Sequence, residues 1–129
     1  MMKKLLNTIC LSLLLLGCGE NFQKETWIKR IIETGLSEKN EVLIQDEIVD
    51  YDVYRDAKND GVCFEYIVAH SMKLDDEQLK ATLIPLVRTI VNGDSEGKTA
   101  FESGIYFRFI YKSKDGRVLG DQIITSSDI

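Results

Sequence analysis

Residues 101–116 read Phe101-Glu102-Ser103-Gly104-Ile105-Tyr106-Phe107-Arg108-Phe109-Ile110-Tyr111-Lys112-Ser113-Lys114-Asp115-Gly116. The odd positions Ile105, Phe107, Phe109 and Tyr111 are all large and apolar or aromatic. Successive side chains of a strand point to opposite faces, so this period of two predicts a strand over Phe101 to Lys112 with those four residues on the core side. Tyr106, Arg108, Ile110 and Lys112 then share the opposite face. Asp115-Gly116 supplies a turn, and Arg117 to Thr125 is the return strand. Its register stays open, because Gly120 and Asp121 break the alternation.

The same arrangement stands upstream. Val42 to Tyr54 is rich in β-formers and alternates over Val49, Tyr51 and Val53, with a change of phase after Ile48 that predicts a bulge or break. Asp60-Gly61 separates this run from Val62-Cys63-Phe64-Glu65-Tyr66-Ile67-Val68, a strong hairpin signal. A loop of those two residues alone would set Val53 opposite Val68 and Tyr51 opposite His70.

A helical stripe precedes each hairpin. Asn21 can cap a helix through Phe22, Trp27, Ile28, Ile31 and Ile32, with Gly35 as its stop and Leu36 folded back onto Ile31. Asp75 can open the second, with Gln78 at the reciprocal position and Leu74 stapled onto Leu79. Its stripe is Leu79, Leu83, Leu86, Val87 and Ile90. Pro85 predicts a kink, Asn92-Gly93 an end, and Asp94 to Lys98 a polar loop. The order helix, hairpin, helix, hairpin predicts an α+β two-layer sandwich: a four-stranded, mostly antiparallel sheet with two helices on one face. Asn21, Gly35 and Asp60-Gly61 recur as Asp75, Gly93 and Asp115-Gly116, so the architecture repeats although residue identities barely do.

The N-terminus has a different character. Lys3 and Lys4 precede a run from Leu5 to Leu16, twelve residues interrupted by Asn7, Thr8 and Ser12 and followed by Gly17-Cys18. A spanning helix needs roughly 20 apolar residues, so a secretory signal is the better reading. Leu15-Leu16-Gly17-Cys18 resembles the lipobox of bacterial lipoproteins. The resemblance covers the signal segment alone, and residues 21–129 resemble no recognised family. It implies cleavage after Gly17, acylation of Cys18 as the mature N-terminus, and a location in the cell envelope. Gly19 is not the aspartate that commonly retains such proteins at the inner membrane of enteric-type bacteria, so the periplasmic face of the outer membrane is favoured. Residues 1–17 are then a signal peptide and 18–129 a single domain anchored through Cys18. Several acyl chains, each buried CH2 contributing about 0.8 kcal/mol, hold without help from the protein surface.

Charge supports an anchor that works alone. The formal charge of −5 becomes −7 once Lys3 and Lys4 are lost with the signal. An acidic domain is repelled by nucleic acid and by anionic lipid, which disfavours both as partners of the protein surface. Of the three cysteines, Cys10 leaves with the signal and Cys18 takes lipid. Cys63 remains as a lone thiol within an apolar run, expected to be a buried small hydrophobe.

Sites for chemistry are sparse. Asp56-Ala57-Lys58-Asn59-Asp60-Gly61 resembles the start of an EF-hand loop, but Lys58 holds a ligand position and Ile67 stands where the closing glutamate belongs, so no metal is expected. His70 and Ser71 are adjacent in an apparent strand and would face apart, so they make no catalytic pair. Asp46, Glu47, Asp50, Asp52 and Asp56 form an acidic set, with Asp50 and Asp52 on the face opposite Tyr51. They suit a charged edge that blocks aggregation, or a docking surface for a basic partner. Apolar Ile110 among Tyr106, Arg108 and Lys112 marks a face that could meet a partner. The expected function is a lipid-anchored, periplasm-facing module that binds a protein or assists assembly, without cofactor or catalysis. An immunity-type inhibitor of a toxin or hydrolase is the alternative, and an enzyme with a dispersed carboxylate site the third.

Overall fold

A computed structural model describes residues 19–57, 60–93 and 95–129; Gly17, Cys18 and the signal segment lie outside them. The elements are α1 (Gly19–Ser37), α2 (Lys39–Leu43), β1 (Ile48–Arg55), β2 (Gly61–Val68), α3 (Asp76–Asn92), α4 (Ser95–Glu102), β3 (Tyr106–Ser113), β4 (Val118–Ile124) and a 3-10 turn (Ser126–Asp128). The fold is α+β. The four strands form one sheet in the order β1-β2-β3-β4.

β1 and β2 pair antiparallel, as do β3 and β4, whereas β2 and β3 run parallel. Parallel neighbours need a crossover, and α3 and α4 supply it. A second hairpin laid beside the first as a tandem copy would make β3 parallel to β1 and antiparallel to β2. The observed sense of β3 limits the recurrence to element order.

Registered rows define the two faces. Tyr51, Tyr66 and Tyr111 share one row, and Val53, Phe64 and Phe109 share the next. This inner face meets Trp27 and Ile28 of α1, Leu83, Val87 and Val91 of α3, and Ala100 and Phe101 of α4 in one buried cluster. Phe107 lies at its centre, with Trp27 edge-on at 5.7 Å, Phe101 at 5.6 Å and Phe64 at 5.9 Å between ring centroids.

Several local expectations are corrected. Four α-helices stand among the described residues where two were expected. Gly35 lies inside α1 and does not stop it; a Cβ there would come within 2.8 Å of Val53, so its smallness allows α1 to approach β1 closely. Leu36 also continues the helix and is exposed, so it is not the residue past a helix stop. Residues 42–47 form part of α2 and a turn, and the strand begins at Ile48. The loop of the first hairpin is longer than Asp60-Gly61, so Val53 pairs with Phe64 and Tyr51 with Tyr66. His70 lies past the end of β2. Ser95–Glu102 is a helix in place of a polar loop, and Phe101 belongs to it.

Other details follow the sequence. β1 shifts register between Ile48 and Asp50, where the phase of the alternation changes. Asp75 caps α3, its carboxylate accepting from the backbone N–H of Glu77 (3.0 Å) and Gln78 (3.1 Å). β4 carries a bulge between the partners of Tyr111 and Lys112.

Candidate functional site

The outer face of the sheet brings together most of the residues singled out for partner contact. Arg108, Ile110 and Lys112 of β3 share rows with Cys63, Glu65 and Ile67 of β2, and Asp52 and Asp50 stand on the same side of β1. The charges here are largely satisfied within the sheet. Arg108 holds Asp121 through two bonds, Nε–Oδ1 at 2.9 Å and Nη2–Oδ2 at 2.5 Å, and reaches Asp56 at 3.3 Å. Tyr106 donates its hydroxyl to Asp56 at 2.5 Å, and Lys112 pairs with Glu65 at 2.5 Å. Cys63 is fully buried beneath this lattice. Burial pushes its thiol up, against a smaller opposing effect of the Tyr54 hydroxyl bonded to it, which disfavours the thiolate a nucleophile needs.

Asp50 and Asp52 guard an edge. β1 is an outer strand, and the backbone N–H groups of Tyr51 and Val53 donate to the carboxylates of Asp50 (2.8 Å) and Asp52 (2.9 Å). Donors that could pair with an incoming strand are occupied by the chain's own side chains. The Tyr51 N–H and then Lys39, 3.4 Å from Asp50, hold the Asp50 carboxyl below its ordinary value.

The inner face offers a site that no local motif announces. Between α2 on one side and α3 on the other, the sheet is incompletely covered, leaving a cleft of about 540 Å³. Its floor includes a ladder of tyrosines, one from each of β1, β2 and β3: Tyr51 and Tyr66 lie 5.1 Å apart, and Tyr66 stacks on Tyr111 at 4.8 Å. Phe64 and Phe109, stacked at 5.0 Å, continue the floor inwards. Val42, Leu79 and Ile90 give apolar walls, while Glu38, Glu47 and His70 bring polar groups.

The electrostatics of the floor are uniform in direction. Burial first, then the charges of Glu38 and Asp52, push the Tyr51 hydroxyl up to about 12. Burial raises Tyr66 further, with Tyr111, Tyr51 and Glu38 adding to it, and burial alone raises Tyr111. All three rings therefore stay neutral near pH 7. The Nδ1 of His70 is buried without a hydrogen-bond partner among the described residues.

The cleft lies far from the start of α1. Lys24 reaches Asp60 at 3.6 Å and Glu25 pairs with Arg55, both at the β1–β2 loop end of the sheet. Glu38, just beyond the other end of this 19-residue helix, lines the cleft. At 1.5 Å per residue, α1 spans about 28 Å.

Among the described residues, no group of three His, Cys, Asp or Glu is placed to hold a metal ion, and no helix is long and apolar enough to cross a membrane. Comparison with protein-family models, curated proteins and solved structures finds no match.

Proposed function

We propose that this chain is a lipid-anchored binding module of the cell envelope that receives a segment of a partner protein in the tyrosine-floored cleft and acts by recognition. The observation that carries this reading is the cleft itself. It falls within the range of roughly 300–1,000 Å³ typical of binding sites, and apolar walls with a few polar groups are the usual composition of such sites. Its position suits an anchored protein. Cys18 directly precedes α1, so an acylated Cys18 would hold the start of α1 at the bilayer while the cleft opens at the other end. The outer membrane's periplasmic face remains the location the lipobox favours.

The outer face is the weaker docking surface, because its ion pairs would have to be desolvated without new partners. Blocked donors on β1 also argue against strand addition there.

Two variants test the proposal. Cys18→Ser should remove acylation and release the protein from membranes; full membrane retention would refute the anchor. Leu86→Trp adds bulk at an exposed position on the cleft lining. It should abolish co-purification of the partner that accompanies the detergent-extracted wild type, with membrane attachment intact. Unchanged recovery of that partner would refute the cleft as the binding site.

A further inference from the structure

Taking the cleft as the binding site, we propose that it selects a cationic occupant: an apolar segment of the partner protein that carries a lysine or arginine. The charges lining the cleft are one-sided. Glu38 and Glu47 are the acidic residues of the lining, the charge of Glu38 reaching Tyr51 and Tyr66, and no lysine or arginine is among the described lining residues. Neither carboxylate forms an ion pair with another described residue, and nearby Lys39 is engaged by Asp50. A half-apolar cleft rimmed by exposed carboxylates attracts an opposite charge carried on an apolar stem.

The tyrosine ladder fits the same occupant. The three hydroxyls make no hydrogen bond to another described residue, so their oxygens can accept from an ammonium or guanidinium group. Aromatic rings attract cations through their negative faces and accommodate the methylene stem. Negative charge is already felt on this floor, since Glu38 opposes ionisation of both Tyr51 and Tyr66. A glutamate or aspartate from a partner would meet the same opposition.

Size limits what enters. A helix with side chains is 10–12 Å across, so about 540 Å³ takes a few side chains and leaves the partner's backbone outside. The partner can thus keep its backbone hydrogen bonds while only side chains are buried, which makes a single basic residue flanked by apolar ones the best complement.

The test uses the full lipidated chain in phosphatidylcholine nanodiscs and three dansyl-labelled peptides, capped Ala-Leu-X-Leu-Ala with X as Lys, Gln or Glu. Binding is read by fluorescence anisotropy, with empty nanodiscs subtracted. The lysine peptide should bind about tenfold more tightly than the glutamate peptide, with glutamine between them. Glu38→Gln combined with Glu47→Gln should remove most of that preference, read as the ratio of lysine-peptide to glutamate-peptide affinity; a ratio equal to that of wild type would overturn charge selection. Equal binding of all three peptides, lost in Leu86→Trp, would overturn charge selection while leaving the cleft as the site. Binding that Leu86→Trp does not alter, or no binding by any peptide, would overturn the cleft reading and this inference with it.

Discussion

Replacing Gly97 by alanine should destabilise the fold, although alanine is the better helix former. Gly97 lies inside α4, and a Cβ there would meet three atoms of the Trp27 ring: Nε1 at 2.5 Å, Cε2 at 2.7 Å and Cζ2 at 2.7 Å. These belong to a rigid indole that is only 2% exposed and rests edge-on against Phe107, so it has little room to withdraw. Overpacking of this kind costs about 1–3 kcal/mol, offset by up to ~1 kcal/mol of helix propensity. The net loss is about 1 kcal/mol, or a Tm drop of about 4 °C for a domain of this size. Gly93→Ala supplies the matched control. It has an ordinary φ of −73° and no contact closer than 3.4 Å for an added Cβ. It should be neutral or stabilising by about 0.4–1 kcal/mol. Thermal unfolding followed by circular dichroism reads both variants. A Gly97→Ala chain as stable as wild type, or more so, would refute the close packing of α1 on α4 through Trp27.

Replacing both Asp50 and Asp52 by alanine frees the N–H groups of Tyr51 and Val53, so concentration-dependent association should appear in sedimentation velocity; a strictly monomeric variant would show that these carboxylates do not guard the edge. The depressed pKa of Asp50 means that its contribution is present above the unfolded-state value and lost as pH falls through the folded value, so acid should bring wild type towards the same association. At the other extreme, the raised pKa values of Tyr51, Tyr54, Tyr66 and Tyr111 give stability that is full below about pH 10 and lost as pH rises through their folded values. Tyrosinate absorbance should therefore rise with unfolding; four tyrosines ionising near their ordinary value in an intact fold would show that the rings are hydrated.

Much of the sheet was legible because strands with one buried face must alternate. β3 reads directly from Ile105 to Tyr111, and the Ile48–Val49 phase change marks a real shift in register. The α3 start was equally clear, since Asp75 supplies the capping oxygen. The short helices were harder. α4 buries Gly97, Ala100 and Phe101, and small residues give almost no periodic signal; Gly97 is required by Trp27, a partner distant in sequence. Gly35 was misread for the same reason, its role being close approach to Val53 rather than a helix stop.

The candidate site was less legible still. Its tyrosines come from three strands: the antiparallel β1–β2 register brings Tyr51 to Tyr66, and Tyr66 stacks on Tyr111 only because β2 and β3 run parallel in one particular register. Nothing local to Tyr51, Tyr66 or Tyr111 encodes that juxtaposition. The outer-face residues were found as a group because they alternate along single strands. Their internal pairing, Arg108 to Asp121 and Lys112 to Glu65, depends on neighbours that the uncertain register of β4 and the sense of β3 concealed.

The chain's five tyrosines allow the two faces to be compared in one experiment. Tyr51, Tyr66 and Tyr111 line the cleft, whereas Tyr54 and Tyr106 belong to the outer face. Fluorine NMR of the 3-fluorotyrosine-labelled chain, titrated with the lysine peptide, reports on all five at once. Recognition in the cleft predicts saturable shifts of Tyr51, Tyr66 and Tyr111 with Tyr54 and Tyr106 unmoved. Shifts confined to Tyr54 and Tyr106 would place recognition on the outer face and contradict it.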